Sequence, residues 1–142
     1  MQNLNEILVL TDFSPAAWQA MQYGTFLCQA HHANMTLLHV IPAKPTVRES
    51  PSRTLELLDN KLQALSKEIK MFNGNTVETE VLMGNVSHEL AKYLRKSSFD
   101  MVVMGLNGNG GLNKELGKNT KLVLEKADVP ILVLPNKPYQ TV

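Results

Sequence analysis

A chain of 142 residues, 44% hydrophobic and 19% charged, has the length of one globular domain and enough apolar side chains to fill a core. A formal net charge of +1, with both signs mixed along the chain, offers no basic stripe for a nucleic-acid backbone, and no apolar run approaches the roughly 18 residues that crossing a membrane demands. Cys28 is the sole cysteine, which excludes an internal disulfide framework, and the opening MQNLNEILVL lacks a charged region followed by a long apolar one, so the expectation is a single cytoplasmic domain spanning 1–142.

The first element is EILVLT, Glu6 to Thr11, a short continuous apolar run of the kind that forms a strand covered on both faces. Ser14 and Pro15 then supply a capping hydroxyl and a residue suited to the first helical position, and Ala17, Ala20, Met21, Gly24, Leu27 and Cys28 share one face of the helix that follows. Trp18 and Met21 are expected to fill the core, and His31 and His32 to mark the helix end. MTLLHVI, Met35 to Ile41, is a second buried strand. The polar stretch Pro42 to Glu49 carries two prolines and is expected to be a mobile flap beside the strand ends.

Ser50 and Pro51 repeat the helix-start device, after which Leu55, Leu58, Leu62, Leu65, Ile69 and Phe72 keep a spacing of three or four until FNGN closes the helix at Gly74. That leucine row reads as a core face, since it is too short and too embedded between strands for a coiled coil. Thr76 to Met83 alternates, with Val77, Thr79 and Val81 on one side and Glu78 and Glu80 on the other, which is the pattern of an edge strand with one wetter face. A third helix is predicted from about Val86 to Lys96 with Leu90 and Leu94 inward. The apolar strand Asp100 to Gly105 follows, then a glycine-rich stretch, a fourth helix with Thr120, Val123 and Ala127 on one face, and a last strand in PILVLP, Pro130 to Pro135.

Strands and helices that alternate in this way build a parallel sheet, because parallel neighbours require a crossover and crossovers are right-handed. The expected fold is α/β, a doubly wound, open, five-stranded parallel sheet with helices on both faces. Ligands in such sheets lie beyond the carboxyl ends of the strands, where the strand order reverses. The residues at those ends are Thr11, Asp12, Phe13 and Ser14, then Val40 and Ile41, then Gly84, then Gly105 to Gly111.

MGLNGNGGLNKELGKNT, Met104 to Thr120, places five glycines directly after a buried strand and before a helix. Backbone amides in such a loop can approach phosphate oxygens, and the helix start adds partial positive charge, although the same composition also suits a plain connection. It is not a Walker loop, since Leu112 stands where the first glycine belongs and Asn119 follows Gly117 and Lys118, and the GxGxxG spacing is absent too. Asp12 has two readings. Its carboxylate could accept from a ribose hydroxyl or an adenine amine, or it could fix the turn by accepting from backbone amides. Ser14 reads as a cap rather than a nucleophile, because no histidine is placed to activate it and GxSxG is missing. His39 and His88 read as structural, and four scattered histidines with one cysteine make no metal set.

The order of these pieces resembles the universal stress protein family over almost the whole chain. ILVLTDFS is similar to its first strand and aspartate, LLHVI to its second strand, GNVSHEL to its third loop and helix, and FDMVVMGLNGNGG with GKNTKLVLEKADVPILVLP to its closing half. The resemblance implies a Rossmann-like fold of the adenine nucleotide alpha hydrolase type and, in many members, a site for ATP or another adenine nucleotide, with or without Mg. Carried over, Asp12, beside Thr11, and Val40 would contact base and sugar, and Met104 would line the base pocket. Gly105 and Gly108 would form the first phosphate loop and Gly117 would open the helix, with Lys118, Asn119 and Thr120 following and Thr120 adding a hydroxyl.

Two departures from the family pattern stand out. Eight residues separate Gly108 from Gly117 where the family has nine, and Lys118 replaces a serine or threonine. The lysine either points into the phosphates as a point charge or folds outward into water. The resemblance also implies a homodimer that pairs the last strands, here Val129 to Pro135, across a two-fold axis, and covering an apolar edge is what soluble proteins require. Three functions follow: a nucleotide-binding regulatory module, a dimeric stress adaptor with a vestigial pocket acting on an unknown protein partner, and an adenylating or pyrophosphatase enzyme. The last is disfavoured because TDFS stands where that class carries a glycine-rich loop, and no general base or metal-carboxylate cluster is visible.

Overall fold

The computed structural model describes residues 3–42, 51–69, 75–106 and 118–135, with Pro51 and Lys118 described by their backbone alone. Five strands and four helices alternate in the order β1 (Glu6–Leu10), α1 (Pro15–His31), β2 (Asn34–Pro42), α2 (Pro51–Glu68), β3 (Val77–Gly84), α3 (Val86–Lys96), β4 (Met101–Gly105), α4 (Lys118–Lys126) and β5 (Ile131–Leu134). The strands form one parallel sheet in the order β3-β2-β1-β4-β5. The order reverses between β1 and β4, whose pairing sets Ile7 beside Met101 and Val9 beside Val103. The expected α/β architecture is therefore the one found.

Alternation along each strand divides the core into two layers. Ile7, Val9, Met35, Leu37 and Val103 pack with Ala20, Met21 and Cys28 of α1 and with Leu62 of α2. Leu8, Leu38, Val102 and Met104 point through the other face onto Leu90 of α3 and Val123 of α4. Full burial of side chains of this size contributes roughly 1.5–3 kcal/mol each, which explains why the central strands tolerate so little polarity. Alternating β3 does lie at an edge, with Glu78 and Glu80 exposed. At the opposite end of the sheet β5 is the other edge.

Local capping follows the sequence. Ser14 Oγ accepts from Ala17 N–H at 3.1 Å with Pro15 opening α1, and Asn85 Oδ1 accepts from His88 N–H at 2.9 Å to start α3. At the amino-terminal end of the sheet, Asp100 Oδ2 accepts from Asn5 N–H at 2.8 Å and from Glu6 N–H at 2.9 Å, stapling β1 to the start of β4. Cys28 is buried, and burial, reinforced by Glu6, pushes its thiol up to about 12.

Three expectations need correction. Trp18 is 43% exposed rather than a core residue, because the buried stripe of α1 runs through Ala17, Ala20, Met21, Gly24 and Cys28 and leaves Trp18 beside it. Leu55 is also exposed, since the sheet cluster takes in the α2 row only at Leu62, Leu65 and Ile69. Finally, α2 ends at Glu68, well before Gly74. Phe72 and Gly74, like residues 43–50 of the anticipated flap, lie outside the described residues.

Candidate functional site

Where β1 and β4 diverge, the end of β4 comes against the first turn of α1. A Cβ placed on Gly105 would lie 2.5 Å from the Ala16 carbonyl carbon and 2.6 Å from its oxygen, so only glycine permits this approach. Above that contact opens a crevice with a volume of about 80 Å³. Leu10, Leu38, Leu90 and Met104 make its apolar floor, Val40 and Val86 its walls, and Thr11, Asp12, Gly105 and Asn119 its rim, with Ala17 closing the α1 side. A larger groove of about 500 Å³ runs between α1 and the end of α2, but its lining of Trp18, Met21, glutamines, Thr25, Ile69 and the single carboxylate of Glu68 lies away from the strand ends. The smaller crevice is the candidate because it occupies the switch point of the sheet.

The turn that carries Asp12 is built from local bonds. Thr11 Oγ1 accepts from Phe13 N–H at 3.0 Å and Asp12 Oδ1 accepts from Ser14 N–H at 2.9 Å. Asp12 therefore does fix the turn, the plainer of its two readings. A carboxylate has about four acceptor positions, so this bond leaves capacity for a ligand at the crevice. Phe13 adopts φ +63, the left-handed region that a bulky residue enters only at a cost.

Three helix starts meet the crevice. Ala17 belongs to the first turn of α1, Val86 opens α3, and Asn119 is the second residue of α4. Neither α1 nor α4 has an acidic residue in its first turn, so the positive ends of their dipoles are not neutralised by their own side chains.

One polar edge comes from backbone alone. Along β2, Asn34 N–H donates to Asn5 O and Leu38 O accepts from Thr11 N–H on the β1 side, while Met35 N–H donates to Thr76 O on the β3 side. Alternate residues of a strand face alternate neighbours. Val40 thus turns its N–H and carbonyl toward β1, one step past the point where β1 has bent away into its turn.

Of the expected ligand residues, Thr11, Asp12, Val40, Met104, Gly105 and Asn119 are gathered around this single crevice. Thr120 is fully buried in α4, and its hydroxyl has no hydrogen-bond partner among the described residues. Gly108 and Gly117 lie outside the described residues, and Lys118 enters only as the backbone that opens α4. Sequence reasoning missed Leu10, Ala17, Leu38, Val86 and Leu90 as lining residues. The signal for Val86 and Leu90 was present in the Asn85 cap, which places the start of α3 at the same rim as the strand ends.

A family model described as the universal stress protein family matches residues 3–135. This chain belongs to the universal stress protein family. A universal stress protein of Methanocaldococcus jannaschii is 28% identical over 137 residues, which cover 91% of this chain and 81% of that one. Among solved structures, the universal stress protein UspA from Lactobacillus plantarum superposes with a TM-score of 0.74 at 23% identity, covering 94% of this chain and 99% of that one. The universal stress protein from Archaeoglobus fulgidus in complex with dAMP gives a TM-score of 0.67 at 15% identity, covering 94% and 99%. No described helix is long and apolar enough to cross a membrane, and no three His, Cys, Asp or Glu side chains among the described residues are grouped to hold a metal ion.

Proposed function

We propose that this universal stress protein is a cytoplasmic regulatory module that binds ATP or another adenine nucleotide in the β1/β4 crevice. The observation that carries the reading is the convergence of Asp12, Val40 and Gly105 on one crevice at the switch point of the sheet. The N–H and carbonyl that Val40 turns toward β1 match a ring acceptor next to an exocyclic amine, the pattern adenine presents at N1/N6 and N7/N6, where guanine carries the O6 carbonyl in place of the amine. The spare acceptor capacity of Asp12 suits ribose hydroxyls. The start of α4, with no acidic residue in its first turn, suits phosphate, with Mg as its companion ion. A protein of the same fold is known in complex with dAMP.

Thermal unfolding with and without Mg-ATP or AMP tests the reading. Ligand at about 100 times its dissociation constant stabilises a native state that alone binds it by about 2.7 kcal/mol. For a chain of this size that raises the midpoint by about 5–10 °C. An unchanged midpoint at millimolar nucleotide favours the second reading, a dimeric adaptor without ligand, which the shortened arc between Gly108 and Gly117 and the Lys118 replacement support. In either reading we place the homodimer contact on β5, an edge strand of the sheet. Sedimentation of the wild type against a Val133→Lys variant reads that contact directly.

A further inference from the structure

His39 stands on β2 between Leu38 and Val40, yet it belongs to the other face of the sheet. Leu38 and Val40 line the crevice, whereas Met35 and Leu37, the residues in phase with His39, pack in the layer under α1 and α2. From there its ring reaches the β1–α1 turn from behind. Nδ1 lies 2.7 Å from Thr11 O, the ring centroid lies 4.7 Å from that of Phe13, and Lys61 Nζ of α2 sits 4.2 Å above the Phe13 ring.

A carbonyl can only accept, so Nδ1 carries a proton and donates. Burial holds the ring's pKa below its ordinary value, with the Thr11 bond and Asp12 opposing and Lys61 assisting, and so the ring is the neutral Nδ1–H tautomer. These contacts answer a question the turn itself raises. Phe13 is a bulky residue held at φ +63, and a left-handed residue of that kind persists only where its surroundings over-determine it. Its amide is held by Thr11 Oγ1, its ring touches both His39 and Lys61, and the carbonyl just before Asp12 is held by His39.

We propose that His39 is a positioning residue for the crevice: by donating to Thr11 O and packing on Phe13, it fixes the left-handed turn and thereby the place of Asp12 at the rim. The inference rests on the nucleotide-binding reading. It assigns to a side chain on the far face of the sheet an effect on ligand affinity without ligand contact.

Three substitutions separate positioning from bulk structure. In the His39→Asn variant an amide nitrogen occupies nearly the place of Nδ1 and can donate to Thr11 O. His39→Gln carries its amide further out, and His39→Leu has no donor. Affinity for AMP and ATP is measured by titration calorimetry well below each unfolding midpoint, with stoichiometry reporting the folded fraction. The expectation is a loss of about tenfold in His39→Leu and His39→Gln, the scale of one hydrogen bond. Rescue to near wild-type affinity is expected in His39→Asn. In an Asp12→Ala background, His39→Leu is expected to add little further loss, because the two act through one turn.

If His39→Leu is too unstable to assay, the Asn and Gln pair carries the same contrast. Equal affinity of wild type, His39→Leu and His39→Gln overturns the inference while leaving nucleotide binding intact, and so does an undiminished His39 effect in the Asp12→Ala background. A wild type that binds no nucleotide overturns the functional reading itself and the inference with it.

Discussion

Gly105→Ala puts a methyl group into the tightest of the described glycine contacts. The new Cβ would meet the Ala16 carbonyl carbon at 2.5 Å, its oxygen at 2.6 Å and the Ala16 Cβ at 2.7 Å. Two of these atoms are helix backbone, so no rotamer change relieves the overlap. The end of β4 and the first turn of α1 must separate by something near 1 Å. Overpacking of this kind costs about 1–3 kcal/mol, and for a chain of this length each kcal/mol lowers the unfolding midpoint by about 2–4 °C, giving a fall of about 2–12 °C.

Gly24 supplies the comparison, because a Cβ there would lie 2.6 Å from Val9 Cγ2 and 3.4 Å from Met35 Cε, side-chain rather than backbone atoms, of which the buried, β-branched Val9 can yield only a little. Alanine in mid-helix also recovers up to about 1 kcal/mol of helix propensity, so the Gly24→Ala variant is expected to lose less stability than Gly105→Ala. Differential scanning calorimetry of the two variants makes the comparison. A Gly105→Ala midpoint within about 1 °C of wild type would refute the close approach on which the crevice is built.

Thr120→Val replaces a buried hydroxyl that has no partner among the described residues by a methyl group, and stability is expected to stay level or rise by about 1 kcal/mol; a marked drop in midpoint would show that the hydroxyl is bonded. Asp100→Ala releases two backbone amides held at 2.8 and 2.9 Å and is expected to cost about 2 kcal/mol in urea unfolding, with Asp100→Asn recovering part of it. Because burial lowers the folded-state pKa of His39, the unfolded chain takes up a proton near pH 6.5 that the folded chain does not. His39's contribution is therefore complete above pH 6.5. It declines as pH falls, by at most about 1.4 kcal/mol per pH unit, until the folded ring also protonates. A stability profile between pH 7.5 and 5, compared with His39→Asn, isolates this slope.

Most of the scaffold was legible because its elements announce themselves in different registers. Continuous apolar runs identified β1, β2, β4 and β5, alternation from Val77 to Val81 identified one edge, and Ser14 with Pro15 marked the start of α1. Trp18 was misplaced for a reason visible in α1 itself. The helix has no Asp, Glu, Lys or Arg over its 17 residues, so polarity does little to mark its outer face and a large aromatic next to Ala17 is drawn inward by pattern alone. Leu55 misled in the opposite way, since a regular leucine spacing says which face is apolar but not how much of its length the sheet can cover.

Six of the ten expected ligand residues came together around one crevice because each ends a strand or opens a helix at the same rim. Val86 read only as the start of a helix and Leu90 as an ordinary inward position until the fold set the start of α3 beside β2. The bond from His39 to Thr11 spans 28 residues and crosses from one strand to the turn after another. No local pattern encodes such a contact.

The central claim is that the rim formed by Asp12, Val40 and Gly105 holds an adenine nucleotide. Calorimetric titration of the wild type and of Asp12→Ala with ATP and with GTP tests it most directly. The account predicts saturable binding of one ATP per chain, weaker binding of GTP, and a clear loss of ATP affinity in the variant. An absence of binding at millimolar ATP, or an ATP affinity untouched by Asp12→Ala, would contradict it.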